Sequence, residues 1–166
     1  MPSNNFQIRL ATSDDVPSIL AFIKGLAEFE YLTNEVTVTE ADLQKSLFGQ
    51  NPAAEVVMGF EGDEPAGFAV FFHNYSTFLG QRGMYLEDIF VTPEHRRKGL
   101  GKMLLVHVAN IAVERGCGRL EWSVLDWNED AARFYKELGA EVMSDWRTFR
   151  MQEDALRRLS KAAQDY

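Results

Sequence analysis

The sequence predicts one α/β domain over residues 1–166, and three observations support this class. The chain has 166 residues, of which 46% are apolar, and this suits a single full-sized hydrophobic core. Apolar residues recur at a helical period in some segments and at a strand period in others. No internal repeat, linker or low-complexity segment interrupts the sequence, so the strands and helices alternate within one domain.

The first half of the sequence predicts a strand, two helices and a β-hairpin. Residues 8–10 form a short apolar strand, and Thr12 is a suitable cap for the helix that follows. The apolar residues of that helix lie at helical spacing and are Val16, Ile19, Leu20, Ile23 and Leu26. Thr39 begins a second helix. Two β-rich runs, 55–60 and 67–72, flank a turn that contains glycine and proline and predict the hairpin.

The second half predicts three more strands and three more helices. In chain order they are strand 84–91, helix 99–114, strand 120–125, helix 128–138, strand 147–151 and helix 153–162. Asn128 fits the start of one helix, and Gly116 and Gly139 fit the ends of two others.

The composition favours a soluble, acidic protein of a reducing compartment. The net charge of −8 argues against nucleic acid as the main partner and is compatible with steering a cationic substrate. Residues 1–6 lack the features of a secretory signal, and His107 and Asn110 interrupt the longest apolar helix, so no membrane segment is expected. The single cysteine, Cys117, cannot form an internal disulfide, which favours the cytoplasm.

The most informative segment is the strand that ends at Val91 and the cationic, glycine-rich turn that follows it. Backbone N–H groups at a helix start have no internal acceptor, and the helix dipole favours an anion there. Gly99 and Gly101 allow a pyrophosphate to approach the main chain closely. Residues 96–98 add positive charge, and arginine suits bidentate phosphate contacts. The sequence therefore predicts a phosphate cradle.

Spacing separates three phosphate-binding motifs. A Walker-type loop requires a glycine at Arg96 and a hydroxyl at Met103, so it is excluded. A dinucleotide fingerprint requires a third glycine at Leu104, and Glu121 would open the next strand instead of closing it. The remaining pattern, Arg96-x-x-Gly99-x-Gly101 after a strand, resembles the acetyl-coenzyme A loop of the GNAT acyltransferase superfamily. The alternative is a basic helix start that binds no ligand.

Further motifs extend this resemblance over residues 8–160. They have the order and spacing of a GNAT enzyme and are Ile8-Arg9-x-Ala11-Thr12-x-x-Asp15, Tyr85-Leu86-Glu87-Asp88-Ile89-Phe90-Val91, Trp127-Asn128 and Phe134-Tyr135-x-x-x-Gly139-Ala140. The chain is similar to the diamine and polyamine acetyltransferase branch through Leu26-Ala27-Glu28-Phe29-Glu30-Tyr31 and Trp146-Arg147. The resemblance implies a mixed, mostly antiparallel sheet whose middle strands splay apart to admit the thioester arm. By analogy, it also implies a homodimer.

The resemblance further implies which residues hold acetyl-CoA. Main-chain groups at the strand end would hold the pantetheine arm and the developing oxyanion of the thioester, and helix-start amides would hold the pyrophosphate. The segment that begins at Asn128 would lie beside the cosubstrate. The implied cofactor-binding residues are Ile89, Phe90, Val91, Arg96, Arg97, Lys98, Gly99, Leu100, Gly101, Lys102, Asn128, Glu129, Asp130, Ala131 and Tyr135.

Two residues match catalytic positions of that branch. Tyr135 matches the position of the general acid. This role is chemically reasonable, because a phenol with a pKa of about 10 stays protonated at neutral pH and can donate to the departing thiolate. Its alternative role is packing beside Phe134. Glu87 matches an acid that receives the amine's proton, directly or through water, and its alternative role is a solvated strand carboxylate. Because Glu87 and Asp88 are consecutive in a strand, we expect them to face opposite sides, so that at most one lines the cleft.

An anionic cleft with an aromatic wall would attract an alkylammonium chain. The residues that the resemblance places there are Phe29, Glu30, Glu121, Trp122 and Ser123. Their alternative roles are solvated carboxylates and a core tryptophan. Ser76 and Phe78 stand where polyamine enzymes carry an acidic residue and a tryptophan, so the expected substrates include a short diamine and a lysine-like amino acid. Arg97 stands where close relatives have glycine.

The resemblance implies direct acetyl transfer to a small primary amine within a ternary complex. His73, His95 and His107 lack the spacing of metal ligands, so we expect no metal and read these residues as structural or exposed. The serines lack a nucleophile-elbow context, which favours transfer without an acyl-enzyme. Two other functions stay open, namely acetylation of a protein N-terminus or lysine and non-catalytic binding of an acyl-CoA.

Overall fold

A computed structural model describes residues 5–162 of the chain. The elements are β1 (Phe6–Leu10), α1 (Val16–Phe29), α2 (Glu40–Phe48), β2 (Glu55–Glu61), β3 (Glu64–Ser76), β4 (Gln81–Val91), α3 (Leu100–Glu114), β5 (Leu120–Glu121), α4 (Glu129–Glu137) and α5 (Glu153–Ala162). The chain divides into two compact units, Met1–Leu125 and Asp126–Tyr166. The first unit contains the sheet, and the second contains α4 and α5. Organisation as one domain stays a prediction.

The sheet has the strand order β1-β2-β3-β4-β5. The first four strands pair antiparallel with their neighbours, and β5 pairs parallel with β4. The parallel ladder contains only the pairs Met84↔Leu120 and Tyr85↔Glu121, so β4 and β5 separate soon after they meet. The mixed, mostly antiparallel sheet that the resemblance implied is confirmed.

Helices cover both faces of this sheet. On one face, α1 and α2 bury an apolar cluster against alternate residues of β2, β3 and β4, whose buried members are Val16, Ile19, Phe22, Leu43, Val56, Met58, Phe68 and Phe90. On the other face, α3 packs so closely that a Cβ built on Gly59 would lie 2.8 Å from Cδ1 of Leu100. Since strand side chains alternate between faces, β2 contributes Val56 and Met58 to one layer and Gly59 to the other.

The helices begin and end at residues that satisfy their terminal main-chain groups. Thr39 caps α2 by accepting from the Asp42 N–H at 3.2 Å, and the Asp42 carboxylate accepts from the Thr39 N–H at 2.9 Å. Asn128 caps α4, and α5 spans the predicted residues. The predicted positions of these three helices are confirmed.

Two predicted strands differ from the structure. β5 ends at Glu121 instead of residue 125, because a β-bulge in β4 interrupts the neighbouring edge soon after Tyr85. The strand predicted over residues 147–151 is wrong, since the structure gives these residues no strand pairing. Within the described part of the second unit there is no other strand with which they could form a ladder.

Over residues 5–162, no helix combines the length and the apolar composition needed to cross a bilayer.

Candidate active site

β4 changes its pairing at Glu87. On one side of this residue Leu86 pairs with Phe71, and on the other side Asp88 pairs with Val70, so Glu87 is an extra residue without a partner in β3. Such a β-bulge bends the strand and redirects side chains. Glu87 is exposed, whereas Asp88 is half-buried. Side chains of a regular strand alternate between the two faces of the sheet, and our expectation that at most one of the two carboxylates lines the cleft used this rule. The bulge interrupts that alternation at Glu87.

Three carboxyl groups from two elements interact at the bulge. Burial, followed by the charges of Glu87 and Glu30, raises the pKa of Asp88 to about 6. Glu30 follows the last residue of α1, and burial raises the pKa of its carboxyl as well. The charges of Glu87 and Glu30 thus act on Asp88, and we call these three carboxyl groups the acidic cluster. A cation bound there would relieve the mutual repulsion. That at most one of Glu87 and Asp88 lines the cleft stays a prediction.

Asp88 is the residue that the sequence analysis left out of the site. The sequence feature that could have indicated Asp88 is the pair of consecutive acids, Glu87 and Asp88, within an apolar strand. Burial of a carboxylate costs free energy unless a cation or hydrogen-bond donor is nearby. The bulge and the neighbouring end of α1 are tertiary features, so the sequence did not show that the pKa of Asp88 is raised.

From Asp88 to Val91, one edge of β4 pairs with β3 and the other edge has no ladder partner among residues 5–125. The Thr92 N–H donates to the Ala66 carbonyl of β3 at 2.9 Å, so the preceding residue, Val91, directs its main-chain groups to the other edge. By the same alternation Ile89 faces that edge too. The Val91 carbonyl accepts from Nε of Arg96 at 2.9 Å. Main-chain groups at this edge fit an extended amide chain such as pantetheine, which binds as an added strand does.

The loop between β4 and α3 has two residues in the left-handed region, Arg97 with φ of 63° and Gly99 with φ of 92°. Gly99 occupies the cap position of α3 and has no side chain with which to bind the first N–H groups of the helix. A Cβ built on Gly101 would meet only the Cγ2 methyl of Val91, at 3.8 Å. Protein packing therefore does not require glycine at 101, whereas close approach of a diphosphate to the main chain does.

Buried and exposed side chains hold this loop against the end of β2. His95 is 4% exposed, and its Nδ1 lies 2.6 Å from the Thr92 hydroxyl, while its Nε2 lies 3.1 Å from Oε2 of Glu61. Because a carboxylate only accepts, Nε2 carries a proton. Nζ of Lys98 lies 3.1 Å from the same oxygen. His95 is thus structural, as expected, and over residues 5–162 no three His, Cys, Asp or Glu side chains form a metal-like group.

Other predicted cofactor residues line the start of α3. Leu100 is buried and anchors the helix, and Lys102 is exposed. A groove of about 520 Å³ runs along this part of the helix, lined by Ile8, Gly99, Lys102, Met103, Val106, His107 and Asn110.

The predicted substrate residues at and just after β5 are Glu121, Trp122 and Ser123, and two of them contact other side chains of the sheet. Oε1 of Glu121 accepts from Nδ2 of Asn74 at 3.1 Å and lies 2.8 Å from Nε of Arg119. The Ser123 hydroxyl lies 2.9 Å from the Tyr85 hydroxyl, and Trp122 is half-buried. Unlike Glu30 and Glu87, these residues adjoin the part of β4 that precedes the bulge. Their contact with substrate stays a prediction.

The second unit contains the remaining predicted site residues. Oδ1 of Asn128 accepts from the Ala131 N–H at 3.3 Å, and Glu129 and Asp130 lie exposed in the first turn of α4. Acidic residues at this end are favourable to the helix dipole. Tyr135 is half-buried with its ring 5.4 Å from that of Phe134, and burial raises the pKa of its phenol. Its proton is therefore held firmly at neutral pH.

Comparison with known proteins gives a consistent result. Residues 22–140 match the family model described as acetyltransferase (GNAT) family. The chain is 36% identical to L-ornithine N5-acetyltransferase of Arabidopsis thaliana, over 93% of this chain and 88% of the relative. It is 36% identical to thialysine N-epsilon-acetyltransferase of Mus musculus, over 93% and 96%. An integron cassette protein from the mobile metagenome of V. cholerae superimposes with a TM-score of 0.80 and 25% identity, covering 95% and 98%.

Proposed function

The chain belongs to the GNAT acetyltransferase family, and on this premise we propose that it transfers the acetyl group of acetyl-CoA to the terminal amine of a lysine-like amino acid. The acidic cluster of Glu30, Glu87 and Asp88 is the observation that carries the choice of an amine. Glu30 and Asp88 are half-buried and Glu87 is exposed, and burial followed by the charges of Glu87 and Glu30 raises the pKa of Asp88. An alkylammonium group bound beside these carboxylates offsets the repulsion that acts on Asp88.

The same cluster supplies a proton acceptor. An alkylammonium group with a pKa of about 10.4 is deprotonated at pH 7 only at a free-energy cost of roughly 4 to 5 kcal/mol. We assign the proton to Glu87, the exposed carboxylate of the bulge, which receives it directly or through water. Asp88 and Glu30 orient the ammonium chain by charge. Ionisation of Asp88 at pH near 6 leaves it anionic at neutral pH.

Three parts of the chain are proposed to hold the acetyl donor. Acetyl-CoA supplies the activated acetyl thioester. The outward main-chain groups of Ile89 and Val91 orient its arm, and the main chain from Arg97 to Lys102 binds its diphosphate. The segment at Asn128–Ala131 is proposed as a further contact on the grounds of the family resemblance.

Tyr135 is proposed as the proton donor to the leaving sulfur. The raised pKa of its phenol supports this role, because the group is protonated at neutral pH and gives up its proton only to a strong base such as a thiolate.

An amino acid is preferred to a polyamine for two reasons. The names of both relatives above specify an amino acid with a terminal amine, ornithine or thialysine. In addition, Ser76 and Phe78 at the β3–β4 connection bring no negative charge where polyamine enzymes carry an acid. Both features favour a substrate with one terminal cation over a chain with several.

An acetylation assay tests this function. Purified protein and acetyl-CoA are incubated separately with ornithine, lysine, thialysine, putrescine, spermidine and a lysine-containing peptide, and products are identified by mass spectrometry. We expect the fastest acetylation on the terminal amine of an amino acid. Activity on the peptide alone would overturn the substrate class, and CoA binding without any turnover would indicate an acyl-CoA sensor.

Tyr135→Phe separates a catalyst from a sensor. We expect kcat to fall by about 100-fold, within the usual contribution of a general acid, while the calorimetric Kd for CoA stays unchanged. Tyr75→Phe, at an exposed tyrosine of β3, is the matched control and should retain wild-type turnover. Wild-type kcat in Tyr135→Phe would exclude the proposed proton donor.

The proposed setting is a homodimer in the cytoplasm. The single cysteine, which cannot form an internal disulfide, favours a reducing compartment. Trp146 and Phe149 of the second unit are 73% and 94% exposed, which supports self-association through apolar surface. Light scattering after gel filtration measures the assembly, and a monomer at micromolar concentration would contradict the dimer.

A further inference from the structure

The Arg96 side chain lies back on the protein. Its guanidinium carbon is 5.1 Å from the ring centroid of Phe29 and 5.5 Å from that of Phe90, and its Nε donates to the Val91 carbonyl. The flat guanidinium thus contacts one ring at the end of α1 and one ring in β4, both within cation–π distance. These contacts constrain the plane of the group and one of its five N–H donors.

The end of α1 packs against β4 at the same place. The rings of Phe22 and Phe90 are 6.0 Å apart, and a Cβ built on Gly25 would lie 2.7 Å from Cζ of Phe90. Phe22, Gly25 and Phe29 therefore lie along one stripe of the helix, and Phe90 rests against the middle of that stripe. Arg96 extends this packing by one turn of the helix, because its guanidinium group lies near both Phe29 and Phe90.

The helix end that Arg96 fastens is the one that bears Glu30. After Glu30 the chain turns through Tyr31, whose φ is 60°, and the Leu32 N–H closes the turn on the Ala27 carbonyl at 2.8 Å. A left-handed tyrosine is unfavourable in itself, so this turn depends on neighbouring contacts to keep its geometry. Phe29, which Arg96 covers, immediately precedes Glu30.

We propose that Arg96 is a positioning residue for the amine: it fastens the Glu30-bearing end of α1 to the end of β4. The three consecutive cations of the loop then have different roles: Arg96 sets the position of Glu30 relative to the carboxylates of the bulge, Arg97 serves the diphosphate, and Lys98 pairs with Glu61. This inference rests on the proposed function, because it assigns Arg96 to amine recognition at the same site.

Steady-state kinetics with a matched set of variants tests the proposal. Arg96→Met keeps a long apolar stem without the cation, and we expect KM for the amine to rise about tenfold while the calorimetric Kd for CoA changes less than twofold. Arg97→Met is the contrasting variant, in which the Kd for CoA rises and KM for the amine does not. Arg82→Met, at an exposed arginine of β4, is the control.

A double-mutant cycle on the contact partner completes the test. Phe29→Leu should reproduce the Arg96→Met effect, Phe29→Trp should retain low KM because it keeps an aromatic face, and the double variant Arg96→Met/Phe29→Leu should lose no more than either single variant. Additive losses would show that the two residues act independently and would overturn the proposal. So would a tenfold weaker CoA affinity in Arg96→Met with an unchanged amine KM.

Hydrogen exchange gives a readout that does not depend on activity. In Arg96→Met the Leu32 N–H should exchange faster than in the wild type, whereas amides in the middle of α3 should not change. Unchanged exchange at Leu32 would contradict the fastening role even if the protein acetylated no amine. Failure of the wild-type protein to bind CoA, with faster exchange in the variant, would instead count against the proposed function alone.

Discussion

The two halves of β4 have different roles although they form one strand. Up to Leu86 the strand is paired with β3 on one edge and at Met84 and Tyr85 with β5 on the other. From Asp88 onward it is paired with β3 only, and its other edge has no ladder partner among residues 5–125. The first half contributes Met84 and Leu86 to the core and the second half contributes Phe90, but the second half also carries the carboxyl with the raised pKa and main-chain groups that face outward.

One extra residue, Glu87, separates these halves. The bulge lets the strand leave β5 without breaking its ladder with β3, because pairing resumes at Asp88 with the next residue of β3. The difference shows how one inserted residue can accompany the loss of a ladder partner on one edge of a strand while the other edge stays paired.

Deletion of Glu87 is the most severe test of this comparison. The pairs Leu86↔Phe71 and Asp88↔Val70 become consecutive, so the ladder with β3 is regular and the fold should persist with a similar melting temperature. We expect kcat/KM for the amine to fall by at least about 1,000-fold, because the proton acceptor and the geometry of Asp88 are both lost.

Glu87→Gln is the control for that deletion. It keeps the bulge and removes only the charge, so kcat should fall by about 100-fold or more while KM for the amine changes little. A deletion variant with near wild-type turnover would show that the bulge is not needed for catalysis, and the contrast between the two halves would fail.

Asp88→Asn tests whether the half-buried carboxylate of Asp88, in the second half of β4, destabilises the fold at neutral pH. The folded-state pKa of about 6 lies above the unfolded value, so stability is lost as pH rises from about 4 to 6 and stays lost above that range. The neutral amide avoids this loss. We expect the variant to gain about 2 to 3 kcal/mol in free energy of unfolding at neutral pH relative to the wild type, and nothing at pH near 4.

Urea denaturation across this pH range measures the effect. Asp63→Asn, in the exposed turn between β2 and β3, is the matched control. An Asp88→Asn variant that is less stable than the wild type at neutral pH would mean that the carboxylate has a stabilising partner, contrary to its raised pKa.

Gly101→Ala tests the proposed phosphate cradle, which follows the second half of β4. We expect it to stabilise the fold and to weaken CoA binding. Alanine is a better helix former than glycine, so the free energy of unfolding should rise by about 0.5 to 1 kcal/mol. The added methyl group has room in the protein but occupies the space through which a diphosphate approaches. We expect the Kd for CoA to rise about tenfold, equivalent to about 1.4 kcal/mol. Parallel calorimetry and denaturation measure both, and unchanged CoA affinity would remove the cradle from the proposed site.

The sequence predicted most helices because their signals are local. Helix caps bind main-chain groups within three residues, as Thr39 and Asp42 do at α2 and Asn128 does at α4. Such caps can be predicted from the sequence without knowledge of the fold. Strand ends were predicted less well, since a strand exists only where a partner continues. Residues 122–125 and 147–151 have suitable composition, but the structure gives them no ladder.

The sequence predicted the residue types of the candidate site and not their geometry. Glycine and charge spacing predicted a phosphate loop, the resemblance supplied Glu30 and Glu87, and these roles stay predictions. The bulge depends on how β3 and β4 register, and neither strand marks it in its own sequence. For the same reason the sequence suggested a phosphate role for Arg96 but did not reveal that its side chain lies on Phe29 and Phe90.

Tyr85→Phe carries the smallest expected effect and tests whether the first half of β4 is only structural. The change removes a hydroxyl that lies 2.9 Å from that of Ser123 and keeps the ring 5.2 Å from Phe72. Because the hydroxyl pair is exposed, its loss should lower the free energy of unfolding by no more than about 1 kcal/mol. Turnover and KM for the amine should change less than about twofold, since nothing on the outward edge moves. A tenfold loss of activity would instead bring Ser123 into the reaction, because the change removes the hydroxyl contact between Ser123 and Tyr85 and leaves the ladder between β4 and β5 in place.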